Sequence, residues 1–161
     1  LFELFFMFFI QSKFQLFIDS QSYTEILLIY RSFYYLISNN PSYFKTIDPQ
    51  IILAIISKFE IFYECKDDER YQRCLKHSSK LIYLILIKSI IPIDIPSDLL
   101  ISTFNISLHL FIENLKPNTR NHLTRLICKL FDYQVITNFF FNDVQNFIEN
   151  IFSIIENIFI F

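Results

Sequence analysis

One cysteine and one histidine stand close enough along the chain to suggest a metal site. Cys74 and His77 are three residues apart and would share a helix face, and Cys65 comes a short distance before them. A structural zinc ion takes four convergent Cys or His ligands, and the usual second pair is absent here. The pattern therefore favours a buried free cysteine beside a surface histidine, and we predict neither a metal nor a cofactor.

The remaining cysteine and histidines do not form a recognisable catalytic set. A cysteine nucleophile needs a nearby base and a lowered thiol pKa, and no cysteine here lies in a protease-like context. Cys128 follows Ile127 near the apolar stripe predicted for its helix, which predicts a core thiol. His109 and His122 are predicted on solvent-facing sides. We therefore predict that the chain is not an enzyme, with a helical pocket enzyme as the least favoured alternative.

The complete absence of glycine excludes several further activities. The chain has 161 residues, of which 21 are phenylalanine and none is glycine. Phosphate-binding loops and dinucleotide fingerprints need glycine where the backbone approaches the ligand or adopts positive φ. Nucleotide-binding enzymes of those types are excluded.

A short run of cations offers the most specific candidate binding site. These residues form a basic ridge in the sequence around one predicted helix: Lys116, Arg120, Arg125 and Lys129. The ridge could meet an acidic segment of a partner protein, or it could be an ordinary solvated helix face. The whole chain has a net charge of −2 and a pI near 5.9, which predicts no binding to nucleic acid.

Capping signals divide the chain into about seven helices, beginning with an aromatic segment at its start. Ser22 with Glu25 has capping-box spacing, and Asp48 before Pro49 combines an N-cap residue with a proline at the first helical position. The remaining starts follow from Asp, Ser and Asn residues before apolar runs. The predicted helices after the first cover about 24–37, 48–63, 67–89, 97–115, 118–131 and 142–161.

Apolar periodicity separates two kinds of helix. The helices that begin at Asp48 and Ser97 are apolar nearly all round, which predicts burial on two sides. The helix that begins at Asn118 carries one apolar stripe: Leu123, Leu126, Ile127, Leu130 and Phe131. Period-2 alternation is largely missing, and the capped runs exceed ordinary strand lengths. The sequence therefore predicts an all-α fold.

The helix pairs at about 48–90 and 97–132 resemble the armadillo and HEAT class of helical repeats. The glycine that usually separates the first two helices of an armadillo repeat is absent. The resemblance implies stacked antiparallel helix pairs in a right-handed α-solenoid, and a scaffold that binds partner proteins along its surface. Because both termini are strongly apolar and the first residue is Leu1, we expect residues 1–161 to be a single repeat domain cut from a longer solenoid.

The distribution of charge argues against a membrane-spanning segment. A helix needs about 20 mostly apolar residues to cross a bilayer. The longest stretch without a charged residue, Leu99 to Ile112, has only 14 residues.

We therefore predict a non-catalytic, protein-binding scaffold or adaptor in the cytoplasm, where three unpaired cysteines fit a reducing compartment. The alternative is a peripheral membrane protein anchored through its aromatic N-terminal helix.

Overall fold

The computed structural model describes residues 18–39, 47–63, 68–88, 94–113 and 115–159, and these form six α-helices and a 3-10 helical segment without any β-strand. The all-α prediction is confirmed. The helix count is six instead of about seven, and the aromatic segment predicted as the first helix lies outside the described residues. The helices are α1 (Tyr23–Asn39), α2 (Pro49–Ser57), α3 (Glu69–Lys88), α4 (Ser97–Phe111), α5 (Pro117–Leu130) and α6 (Gln134–Phe159), and the 3-10 segment (Lys58–Phe62) follows α2.

Side-chain caps mark the starts of α2 and α3. The Asp48 side chain accepts a hydrogen bond from Gln50 N at 2.9 Å, and Pro49 occupies the first turn of α2, as predicted. Asp68 accepts from Arg70 N at 2.8 Å at the start of α3. Helix α5 begins at Pro117, so its start agrees with the prediction within one residue.

Two predicted helix boundaries are wrong. Helix α6 begins at Gln134, well before the predicted start at Asn142, because the turn after α5 leads directly into it. That turn is closed by Tyr133 N, which donates to Leu130 O at 3.1 Å, and Ile136 N then donates to Tyr133 O at 3.0 Å. Helix α4 ends at Phe111, four residues before the predicted end.

The helix predicted to run to Tyr63 changes its winding after Ser57. Residues Lys58–Phe62 form a 3-10 helix, in which residues three apart lie on the same side. This winding places Phe59 and Phe62 together in the core, both with 0% exposure. The Tyr71 hydroxyl of α3 then donates to Phe62 O at 3.2 Å and satisfies a carbonyl at the end of the segment.

The helices alternate between two rows. Helix α3 packs against α1 on one side and α5 on the other, and we call these three helices the odd row. The even row consists of α2 with its 3-10 segment, α4 and α6, and α4 contacts each of the others. Within the odd row, Tyr23 packs on Tyr71 and Tyr34 lies beneath Lys80, so α1 and α3 run in the same direction.

One hydrophobic core lies between the two rows. In the even row, α2 buries Ile51, Ile52, Ile55 and Ile56. In the odd row, α5 buries the predicted stripe of Leu123, Leu126, Ile127 and Leu130 and leaves its opposite face to solvent. The Tyr30 hydroxyl of α1 donates to Ile55 O at 3.2 Å and joins the rows through a buried hydrogen bond. None of the helices in the described residues is both long and apolar enough to cross a bilayer.

Candidate functional site

The cysteine and histidine considered as metal ligands are directed to different environments. Cys74 is completely buried, and burial raises the pKa of its thiol to about 12, so the thiol stays protonated at neutral pH. His77 is only partly buried, and its Nδ1 has no hydrogen-bond partner among the described residues. Cys65 lies outside the described residues. The described part of the chain contains no cluster of three or more His, Cys, Asp or Glu side chains that could hold a metal ion.

The prediction that Cys128 is a core thiol is wrong, because the structure exposes this residue. Each helical residue turns about 100°, so Cys128 lies beside the buried stripe that contains Leu126 and Ile127 and points away from it. His109 is exposed, as predicted, and packs against the ring of Tyr63 at a centroid distance of 5.7 Å. These residues do not assemble with one another into a site.

Two members of the predicted basic ridge, Arg120 and Lys116, contact residues of neighbouring helices or of the helix ends. Arg120 donates from Nη1 to Phe111 O at 3.2 Å and from Nη2 to Glu113 O at 2.9 Å. Its guanidinium also lies 5.5 Å from the centre of the Phe111 ring. The Lys116 ammonium lies 3.8 Å from the Glu69 carboxylate, which also pairs with Arg73. Arg120 thus closes the carboxyl end of α4, where helix carbonyls lack intrahelical donors.

The other two members of the ridge differ in their surroundings: an acidic side chain pairs with Lys129, whereas Arg125 faces solvent. Lys129 Nζ lies 2.7 Å from Asp132 Oδ2, and the hydrogen bond to Asp132 raises the pKa of Lys129. Arg125 is exposed on the outer face of α5. The structure therefore divides the predicted ridge: Arg120 supports the fold, whereas Arg125 is directed to solvent.

In the sequences of the helices, positive and negative charges are separated between the two rows. Residues in the odd row include nine Lys or Arg and only two acids, Glu25 and Glu69. Residues in the even row include one lysine, Lys58, and five acids. The cations of the odd row are Arg31, Arg70, Arg73, Lys76, Lys80, Lys88, Arg120, Arg125 and Lys129. The net charge of the whole chain conceals this separation.

Four of these cations come from three neighbouring helices and lie near His77 or His122. We call this group the cationic band, and it consists of Arg31 on α1, Lys76 and Lys80 on α3, and Arg125 on α5. Arg31 and Arg125 are exposed, and the two lysines are partly exposed. The Lys80 ammonium lies 3.9 Å from the centre of the Tyr34 ring, which holds it at the boundary between α1 and α3.

Two partly buried histidines lie within the band and respond to its charge. Burial lowers the pKa of His77 to about 4, and the positive charges of Lys76, Arg31 and Lys80 act in the same direction. Burial likewise lowers the pKa of His122, and Lys80 is the next cause. Both histidines are therefore neutral near pH 7. Their pKa values show that positive charges from neighbouring helices act at this one place.

The band can bind anions electrostatically, and its residues do not form an acid–base or nucleophilic set. Sequence reasoning found Arg125 but missed Arg31, Lys76 and Lys80, because each helix contributes only one or two cations. Comparing the faces of the three helices would have suggested the band only if it were already known which helices are neighbours.

Comparison with known proteins found no family model, no curated protein and no solved structure that matches this chain.

Proposed function

We propose that the chain is a non-catalytic, protein-binding scaffold or adaptor of the helical-repeat type, built as a right-handed α-solenoid of stacked helix pairs. The observation that carries this proposal is the similar sequence spacing, between 42 and 47 residues, of residues that form hydrogen bonds across neighbouring helices of the same row. A stack of similar two-helix units repeats such a spacing from one unit to the next.

The spacing is clearest in the odd row. Tyr23 meets Tyr71 between α1 and α3, and Thr119 of α5 donates to Gln72 O of α3 across 47 residues of sequence. Lys116 N donates to Gln72 Oε1 across 44 residues. Repeats of the HEAT and armadillo class have about 40–47 residues, so the two residues in each contact are separated by about one repeat length.

The even row has a similar spacing. Ser102 of α4 donates to the Glu60 carboxylate of the 3-10 segment across 42 residues, at 3.3 Å. His109 of α4 packs against the ring of Tyr63, just beyond the same segment, at a centroid distance of 5.7 Å. Contacts at nearly the same interval in both rows support a two-helix repeating unit, in which one helix of each unit belongs to each row.

Such a stack presents each row as an extended face on which a partner can lie. Several large apolar side chains are exposed on the described surface, including Leu28 at 59% and Tyr63 at 65%. Exposed aromatic and aliphatic side chains supply anchors in protein interfaces, and a polar rim fixes register. The function therefore requires surface complementarity and no chemical step.

Fold-dependent capture of partners tests this proposal. The immobilised chain is exposed to native lysate, bound proteins are crosslinked, and the crosslinks are mapped by mass spectrometry. The control is Leu110→Asp, which places a carboxylate at a fully buried position and should unfold the chain. We expect specific partners whose crosslinks cluster on one row and vanish with the control.

Two results would overturn the proposal. One is a monodisperse monomer that retains no protein beyond the level of the Leu110→Asp control. The other is flotation of the chain with liposomes in place of protein capture, which would favour the peripheral membrane alternative.

A further inference from the structure

We propose that the cationic band is a docking site for an extended acidic segment of a partner protein. This inference rests on the proposed scaffold function and specifies the chemistry of one partner surface. The band consists of Arg31, Lys76, Lys80 and Arg125, and the segment would cross α1, α3 and α5 in turn.

The geometry of the odd row sets the length of this segment. Axes of packed helices lie about 8–10 Å apart, so a path from Arg31 on α1 to Arg125 on α5 covers about 20 Å. An extended chain advances about 3.3 Å per residue, so about six residues span the band. Alternate side chains of an extended segment face the same side, which allows about three carboxylates to meet the cations.

The band keeps its positive charge because the neighbouring carboxylates are engaged elsewhere. Glu69 pairs with Arg73 at 2.7 Å near the start of α3, and Asp132 pairs with Lys129 at 2.7 Å just beyond α5. The groups that act on His77 are all positive or neutral: Lys76, Arg31, Lys80 and His122. A partner carboxylate would therefore meet an unopposed positive potential.

The observations favour an acidic protein segment over a nucleic acid. Single-stranded nucleic acid is held by cations together with aromatic rings on which bases stack. The aromatic ring in contact with the band's cations is that of Tyr34, and Lys80 already covers one of its faces at 3.9 Å. The band is also short, because it consists of four cations on three helices.

Fluorescence anisotropy with a defined peptide tests the site directly. The probe is a fluorescein-labelled octapeptide of alternating Glu and Ser, and the control probe replaces each Glu with Gln. The substitutions Arg31→Gln, Lys80→Gln and Arg125→Gln each remove one charge from a different helix. Lys58→Gln removes the same charge from the even row and is the matched control, with circular dichroism to verify that each variant is folded.

We expect saturable binding of the acidic octapeptide at about 0.1 M salt and much weaker binding of the Gln peptide. Each single band substitution should weaken binding about 2- to 5-fold, as for an exposed ion pair, and the triple variant about 10- to 100-fold. Lys58→Gln should stay within about twofold of the parent. Binding should also weaken as added salt screens the charges.

Three results would each overturn the inference. They are the absence of saturable peptide binding, an equal loss with Lys58→Gln, and tighter binding of an oligothymidylate with the same number of charges. If the peptide does not bind but the folded chain still captures partner proteins from lysate, the scaffold proposal stands and only the acidic docking site is rejected. Failure of both experiments would remove both proposals.

The pH dependence of binding provides a readout that a purely structural role of these residues would not produce. Arg31 of α1 acts on His77, Lys76 and Lys80 flank it on α3, and His122 acts on it from α5, where Arg125 in turn acts on His122. Carboxylates docked on the band would favour the protonated histidines, so binding should tighten as the pH falls from 7.5 towards 5.5. In a variant with His77→Gln and His122→Gln this gain should disappear, and an unchanged pH profile would contradict the assigned site.

Discussion

Arg120 should stabilise the fold through its contacts with the carboxyl end of α4, and replacing it with Ala tests this role. The guanidinium donates to Phe111 O at 3.2 Å and to Glu113 O at 2.9 Å, and it is partly buried. A hydrogen bond from a charged donor contributes about 1.5–3 kcal/mol, and a cation at a helix carboxyl end adds about 0.3–1 kcal/mol. Partial exposure reduces both values. We therefore expect Arg120→Ala to lower the free energy of unfolding by about 2 kcal/mol.

Urea denaturation followed by circular dichroism at 222 nm measures this change. A loss of about 2 kcal/mol corresponds to a Tm lower by about 4–8 °C in a chain of this size. Arg125→Ala is the matched control because it removes the same side chain from an exposed position on the same helix, and it should change stability by less than about 0.5 kcal/mol. Arg120→Lys should lie between the two, because a single ammonium cannot reproduce the planar guanidinium fork. Equal stabilities for the Arg120→Ala and Arg125→Ala variants would refute the capping role.

Three further outcomes follow from burial and charge. Phe104→Ala should cost about 3–5 kcal/mol in a urea titration because Phe104 is fully buried, whereas Phe141→Ala, at a side chain that is 65% exposed, should cost under about 0.5 kcal/mol; similar costs would contradict the packing of α4. The pKa of His77 is lowered to about 4, first by burial, so the unfolded chain binds a proton that the folded chain resists, and stability should fall as the pH drops from about 6.5 to 4. After discounting for solvent screening, His77→Gln should reduce this pH-dependent loss of unfolding free energy by roughly 1 kcal/mol. Parallel plots of stability against pH for the parent and the variant would contradict this role of His77. In timed alkylation with peptide mapping, Cys128 should react in the native chain and Cys74 only after unfolding, and early labelling of Cys74 would be inconsistent with its burial.

Local sequence signals predicted the start of a helix correctly where one kind of residue, such as an N-cap residue or a proline, specifies that start. Asp48 with Pro49 marked the start of α2 because the carboxylate satisfies a free N–H and proline needs none there. The start of α6 was missed because the turn after α5 is very short, the residue directly before the helix is Tyr133, which is not a typical N-cap residue, and Val135 and Ile136 are β-branched. The 3-10 winding of Lys58–Phe62 was also missed, since it depends on burial of Phe59 and Phe62 against other helices.

The candidate site was predicted less completely than the fold. The predicted basic ridge treated Arg120 and Arg125 as one surface because they are close in sequence. Five residues along a helix, however, correspond to a rotation of about 140° around its axis. The structure directs Arg120 to the end of α4 and Arg125 to solvent. The spacing of charges within one helix could not predict which neighbour each side chain would meet.

By itself, the sequence determined the α-helical class, most of the helix starts and the apolar stripe of α5, because capping and periodicity act over a few neighbouring residues. It also excluded glycine-dependent nucleotide sites. The tertiary structure alone decided that Arg31, Lys80 and Arg125 lie near the same pair of histidines, His77 and His122, although each comes from a different helix and the whole chain carries a net charge of −2. Electrostatic potential depends on distances in space, and packing α1, α3 and α5 side by side brings together cations that are far apart along the chain.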